Sequence, residues 1–289
     1  MTENQLLFNT YPVVEYSSAI REYSDYFSTL QDTQVVYISL LFASLVAPTI
    51  VVLGITYPAT IDFLEQLLSR YTQANVVFAS IPIENYISTD QIGSGNLMST
   101  TFQLVLQQLE MRDLRADILC IPANTNHVKS SFSILSSTVS DLSPETKIVH
   151  MPEEVSFLAK KQGYKRLGVL GTMTTTSPES PYTASLQDQD LIAVYPSTPD
   201  RQILHSLIMK LIQSTDEMTS DNAHILQDVM SRMGVDAFVL GCTEFPMLLR
   251  MTGNLNRTEG QQIEKVTGKQ LLDSTMTLVD AVIRESNKV

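Results

Sequence analysis

Two stretches of the chain echo one another: Ala116-Asp-Ile-Leu-Cys-Ile-Pro-Ala-Asn-Thr125 and Val235-Asp-Ala-Phe-Val-Leu-Gly-Cys-Thr-Glu244. Each runs from an aspartate through a hydrophobic strand to a small residue that opens a polar turn, and residues 116 and 235 stand 119 positions apart. Each also follows an amphipathic helical pattern, ending near Arg115 in one case and Gly234 in the other. Two halves built alike place these turns at the carboxyl ends of two central strands, where open α/β sheets bind ligands. The crevice between two such lobes is the expected site.

Outward from the echo, short apolar β-branched runs alternate with longer stretches of helical period, the pattern of an α/β fold with parallel sheets. Strands are expected at Ile50 to Ile55, Asn75 to Ile81, Asp117 to Ile121, Lys147 to His150, Arg166 to Leu170, Leu191 to Val194 and Asp236 to Leu240. Helices are expected at Ala59 to Tyr71, Leu97 to Leu114, Pro152 to Gln162, Asp200 to Ile212 and Ser220 to Met233. Pro152 and the two glutamates after it suit a first helical turn, where proline forfeits no needed donor and acids face the positive dipole end. Residues 13 to 30 read as a further amphipathic helix, and the serine and threonine run from Ser130 to Ser140 as an exposed helix face. The organisation that follows is two pseudo-symmetric, doubly wound lobes: an N-terminal extension over 1–48 (helix plus apolar strand), a first lobe over 49–148 completed by 268–289, and a second over 149–267.

At 289 residues the chain buries a real core without disulfides. Cys120 and Cys242 are its only cysteines, the usage of a reducing compartment, and a cytoplasmic location is expected. Lys and Arg number 19 against 31 Asp and Glu, a net charge of -12, which argues against nucleic acid or an anionic lipid surface as partner. One segment tests the reading: from Thr33 to Ile61 there is no charge or histidine, and Val35 to Ile55 is long enough by count to span a bilayer. Pro48 interrupts that run and no basic cluster flanks it, so its bursts VVYI and TIVVLGI read as two buried strands.

The motif Gly241-Cys242-Thr243-Glu244-Phe245-Pro246 resembles the second cysteine motif of the aspartate/glutamate racemase family. In the first lobe that family has Cys-Asn-Thr-Ala-His, where this chain reads Ala123-Asn124-Thr125-Asn126-His127. Gly171-Thr-Met-Thr-Thr-Thr176 resembles its third polar turn, and Leu271-Leu272-Asp273-Ser274 its last short strand and turn. The resemblance runs from about Ile50 to the C-terminus. It implies a racemase or epimerase that needs no cofactor, acts on an amino acid or related carbon acid, and is usually a homodimer. Inverting a carbon centre requires a base on one face and an acid on the other, and a thiol serves because its pKa lies within reach of neutrality. Cys242 opens a helix after a buried strand, where a thiolate is expected to be favoured. Asn124, Thr125 and Thr243 are expected to hold the substrate carboxylate with backbone N–H groups, and Thr172 and Thr174 to add donors. Glu244 either receives the substrate ammonium or complements the helix N-terminus. His127 either relays protons or anchors its turn, and Cys120 packs in the core.

Three departures from the family pattern bear on activity. Ala123 removes the thiol from one face, which leaves an altered acid there, a replaced cysteine, a one-thiol decarboxylase or isomerase, or a silent ligand-binding protein on the same fold. The family's Gly-Gly-Met-Gly-Pro turn is here Gly54-Ile55-Thr56-Tyr57-Pro58, so that Ile55 and Tyr57 constrict or reshape the pocket. The stretches Ile81 to Tyr86 and Pro181 to Ala184 hold no cation to grip a distal carboxylate, which argues against aspartate and glutamate as substrates. The sequence shows no metal cluster, phosphate-binding glycine loop or pyridoxal signature, and no cofactor is expected.

Overall fold

The computed structural model describes residues 7–12, 37–42, 47–55, 57–81, 91–253, 256–258, 261–263 and 268–289. They divide into two compact units, one within Met1–Pro122, Ser130–Val149 and Val279–Val289, the other within Ala123–Lys129 and His150–Leu278.

The first unit holds a six-stranded sheet. Its strands are β1 (Leu7–Pro12), β2 (Tyr37–Phe42), β3 (Thr49–Gly54), β4 (Asn75–Ser80), β5 (Ile118–Cys120) and β6 (Lys147–Val149), in the order β1-β2-β4-β3-β5-β6. All neighbours are parallel except β2 and β4. β3 and β4 are buried at every position, which is why they read as unbroken apolar runs: a parallel strand covered on both faces has no solvent side to mark with polar residues. Of the two apolar bursts, TIVVLGI supplies β3 and the last two residues of VVYI open β2, while Val35 and Val36 lie outside the described residues. Among the described residues no helix is long and apolar enough to cross a membrane. The helix expected at residues 13–30 lies outside the described residues.

The second unit is built on four parallel strands, β7 (Arg166–Leu170), β8 (Ile192–Val194), β9 (Ala237–Leu240) and β12 (Gln270–Asp273), in the order β12-β9-β7-β8. A small antiparallel pair, β10 (Asn256–Thr258) and β11 (Gln261–Ile263), lies between β9 and β12 in the chain. Counted in chain order, β3 to β6 and the strands β7, β8, β9 and β12 share one arrangement, 2-1-3-4. β5 and β9 are the third strand of each, so the two echoed stretches occupy equivalent places. The echoed aspartates do the same work as well. Asp117 Oδ2 accepts the backbone N–H of Thr49 at 2.8 Å, and Asp236 Oδ2 accepts those of Lys165 and Arg166 at 2.9 Å, so each pins the start of the first strand to the start of the third.

Two assignments made from sequence are corrected here. Residues 268–289 are expected from sequence to complete the first lobe, yet β12 pairs with β9 in the second sheet, Leu271 opposite Phe238 and Asp273 opposite Leu240, and only Val279–Val289 fall in the first unit. The turn after β5, expected in the first lobe, packs with the second unit from Ala123 to Lys129. Alternation along β9 explains the second unit's two cores. Phe238 and Leu240 join Leu204, Leu207, Ile208, Leu226, Phe245 and Leu248 on one face. Ala237 and Val239 join Val155, Tyr182, Leu186 and Leu272 on the other.

Around these sheets lie α1 (Tyr57–Arg70), α2 (Gln91–Glu110), α3 (Lys129–Leu142), α4 (Met151–Lys161), α5 (Pro181–Gln187), α6 (Thr198–Gln213), α7 (Ser220–Ser231), α8 (Glu244–Met251) and α9 (Ser274–Ser286). Ser180, Ser197 and Thr219 cap α5, α6 and α7 by accepting a backbone N–H two or three residues on. Pro152, Glu153 and Glu154 lie in the first turn of α4 as their types require. In α3 only Ser131, Leu135 and Val139 are buried, so the serine and threonine run does present a solvated face.

Candidate active site at the ends of β9 and β12

In the second sheet the chain leaves β7 and β9 through glycines, and no other residue fits there. A Cβ on Gly171 would lie 2.8 Å from the Gly241 carbonyl oxygen, and one on Gly241 would lie 2.9 Å from that of Leu170. Only hydrogen allows the two strand ends to approach so closely. The turn that follows Gly241 carries Cys242, Thr243 and Glu244 into α8.

Cys242 is 5% exposed, and its thiol donates to Glu244 Oε2 at 2.9 Å. Thr243 Oγ1 donates to the same oxygen at 3.1 Å. Glu244 is 2% exposed, and its second oxygen, Oε1, has no hydrogen-bond partner among the described residues. The expectation of a favoured thiolate is not met. Burial pushes the Cys242 thiol well above its ordinary range, and the Glu244 carboxylate pushes it further, because both disfavour negative charge on sulfur. The backbone N–H groups of Glu244 and Phe245 at the start of α8 act in the opposite direction and are outweighed. The resting group is therefore a thiol whose proton points at a carboxylate.

The equivalent turn after β5 begins at Ala123, extended at φ -149°, ψ 111° and 7% exposed, and continues as a short 3-10 helix, Asn124–His127. Asn124 is expected from sequence to bind substrate directly. Its amide is instead engaged at both ends: Oδ1 accepts from the Tyr182 hydroxyl, and Nδ2 donates to Ser274 Oγ at 3.1 Å. Ser274 Oγ in turn donates to the Leu240 carbonyl at 2.7 Å, two residues before Cys242. Thr125 is half-buried, whereas Asn126 and His127 are buried. The His127 ring packs edge-on against His150, centroids 4.8 Å apart, which suits an anchor of the turn.

The third polar turn is held by its own groups. Thr172 Oγ1 accepts the Thr175 N–H at 3.1 Å, Thr176 Oγ1 donates to the Thr172 carbonyl at 2.8 Å, and the Thr174 carbonyl accepts from Ser177 Oγ at 2.9 Å. Arg201, from α6, adds Nε to Thr176 Oγ1 at 3.0 Å and Nη2 to the Met173 carbonyl at 3.3 Å. Sequence reasoning missed this cation. Its signal was an arginine near the start of a helix, where the dipole repels it and a nearby acceptor has to hold it. Tyr182 was missed too, because the stretch around it stands out in sequence only for lacking a charge. Cys120 lies within β5, fully buried with Sγ 3.7 Å from the Val51 carbonyl, and burial pushes its thiol up, as a core cysteine requires. The Tyr57 side chain and residues 82–90 lie outside the described residues.

The chain matches the family model of the Asp/Glu/hydantoin racemases over residues 52–282, well over half its length. The chain belongs to that family. Solved structures agree on the fold. An aspartate racemase from Picrophilus torridus superposes with a TM-score of 0.61 at 22% identity, covering 83% of this chain and 95% of that one. An aspartate racemase homologue from Pyrococcus horikoshii gives 0.61 at 18% identity, with 83% and 99% covered. The glutamate racemase isoform RacE1 from Bacillus anthracis gives 0.54 at 12% identity, with 85% and 84% covered. No curated protein sequence matches the chain.

Proposed function

We propose that the chain is a racemase-type enzyme without a cofactor that moves the α-hydrogen of a small amino acid or related carbon acid, with Cys242 as its one thiol and Glu244 as the partner of that thiol. The 2.9 Å contact from Cys242 Sγ to Glu244 Oε2 carries this reading. A free buried thiolate is costly, but passing the thiol proton to Oε2 leaves the net charge of the pair unchanged, so burial opposes that step far less. The thiolate so formed takes the α-hydrogen, and the negative charge spreads onto the substrate carboxylate. Thr125 and backbone N–H groups of the two turns are the donors assigned to it, while the Thr243 hydroxyl hydrogen stays on Glu244 Oε2. Thr172 and Thr174 line the same site in this reading.

Ala123 supports a one-sided version of this chemistry. A methyl group neither gives nor takes a proton, so Cys242 removes and returns hydrogen on a single face. The same observation favours a second reading, a one-thiol relative that protonates the carbanion left by decarboxylation. Unpaired Cys120 and Cys242 suit a reducing compartment, and we place the protein in the cytoplasm.

Incubation with a panel of L- and D-amino acids and α-carboxylated acids in deuterated water, followed by NMR, separates the readings. Deuterium entering the α position of a substrate that keeps all its carbons supports the first, and loss of carbon dioxide with deuterium taking its place supports the second. Absence of both across the panel, with ligand binding intact, leaves a silent binding protein and overturns the enzymatic reading.

A further inference from the structure

We infer that Tyr182 is a positioning residue of this site, holding the Asn124 amide in one orientation and with it the turn that carries Ala123. This rests on the reading of the Cys242 turn as the active site. Tyr182 is fully buried on α5, among Val155, Val169, Val239 and Leu272, and its hydroxyl donates to Asn124 Oδ1. Ser274 Oγ spends its one hydrogen on the Leu240 carbonyl, so it can only accept from Asn124. That fixes Nδ2 on the serine side and Oδ1 on the tyrosine side. The result is an ordered series of donors, from Tyr182 to Asn124 to Ser274 to the backbone of β9, which leads straight into Cys242.

The consequence for the site is a division of labour. Asn124, 4% exposed and bonded at both ends, sets the path of the turn, and substrate contact falls to other groups of the site. Removing the Tyr182 hydroxyl leaves Oδ1 a buried acceptor without a donor, and the turn shifts to find another. A shift of this kind moves the groups around the reacting carbon without removing any that touch it, so it acts on the chemical step more than on binding.

Tyr182→Phe tests this, because it keeps the buried ring and removes only the hydroxyl. Two readouts are taken: hydrogen exchange of the Asn124 Nδ2 protons, assigned by their loss in Asn124→Asp, and the α-proton exchange kinetics. Thr183→Val is the control, since it removes a hydroxyl from the same helix that bonds Tyr195 at 2.6 Å instead of the site. The expected result is Nδ2 exchange about tenfold faster in Tyr182→Phe, with kcat down about tenfold and KM within roughly threefold. Thr183→Val should change none of these. Unchanged Nδ2 exchange in Tyr182→Phe, or equal losses in Thr183→Val, overturns the inference. Should Tyr182→Phe not fold, Ser274→Ala removes the other partner of the amide, and unchanged Nδ2 exchange there is the contrary result. If the wild-type protein exchanges no substrate, the active-site reading falls and Nδ2 protection alone decides the role of Tyr182.

Discussion

At the scale of single residues one carboxylate, that of Glu244, governs the Cys242 thiol. Glu244 is open to two readings in the sequence, a ligand for substrate ammonium or a complement to a helix N-terminus, and the structure adds that its Oε2 accepts a hydrogen bond from the Cys242 thiol. Glu244→Gln therefore has two opposite effects. Removing the negative charge relieves part of what holds the thiol up, so the pH profile of Cys242 alkylation shifts to lower pH. The variant also loses the proton acceptor, so α-proton exchange falls by roughly 10²- to 10⁴-fold. Easier alkylation with slower exchange is the expected pair, read by thiol labelling across pH and by NMR. Parallel changes in both would place Glu244 outside the proton path. The sequence showed that Cys242 and Glu244 are two residues apart, but not that the carboxylate folds back onto the sulfur. A sequence-based expectation of a thiolate follows from the helix N-terminus alone, and fails because burial and charge outweigh it.

At the scale of elements, the echoed aspartates make the clearest case. Asp117 is 8% exposed and satisfies a buried backbone N–H, so Asp117→Ala should cost about 1–3 kcal/mol in unfolding free energy, measured by urea titration. Asp236 is exposed, and its loss costs less. Its carboxyl is held below the ordinary value of 3.8, first by the N–H groups of Arg166 and Lys165. A depressed carboxyl contributes stability above the unfolded pKa and loses it as pH falls through the folded one. Asp236→Asn should therefore lower the thermal midpoint by no more than about 2 °C at pH 7, with the gap to wild type closing below about pH 3.8. A constant gap across pH would contradict the assignment.

Most strands were legible within a residue or two because β3, β4, β7 and β9 are apolar runs with no polar face to confuse their period. The partner of β12 was not legible. Composition marks a strand, whereas pairing depends on where the chain returns, so the sequence reading put Gln270–Asp273 in the wrong sheet. Helix α5 escaped because seven residues hold too few periods to register, and with it went Tyr182.

At the scale of the whole molecule, β3 to β6 of the first sheet and the four strands of the second share a 2-1-3-4 order and carry equivalent turns after the third strand, and only one of those turns holds a thiol. On the proposed reading, a thiol at position 123 supplies the second face that Cys242 cannot reach. Ala123→Cys should raise the rate of inversion by at least about tenfold while leaving α-proton exchange within a few-fold, because the second thiol adds delivery from the other face. Chiral chromatography of the product reads inversion directly. No gain in inversion for any substrate would mean that position 123 does not address the reacting carbon.

The most direct measurement of the central claim compares two rates in one sample of the wild-type protein in deuterated water: entry of deuterium at the α-carbon and loss of optical purity. With Cys242 as the one thiol, deuterium enters with configuration retained, at least about tenfold faster than inversion, and Cys242→Ser abolishes both. Inversion in step with exchange, or exchange that survives in Cys242→Ser, would contradict the account.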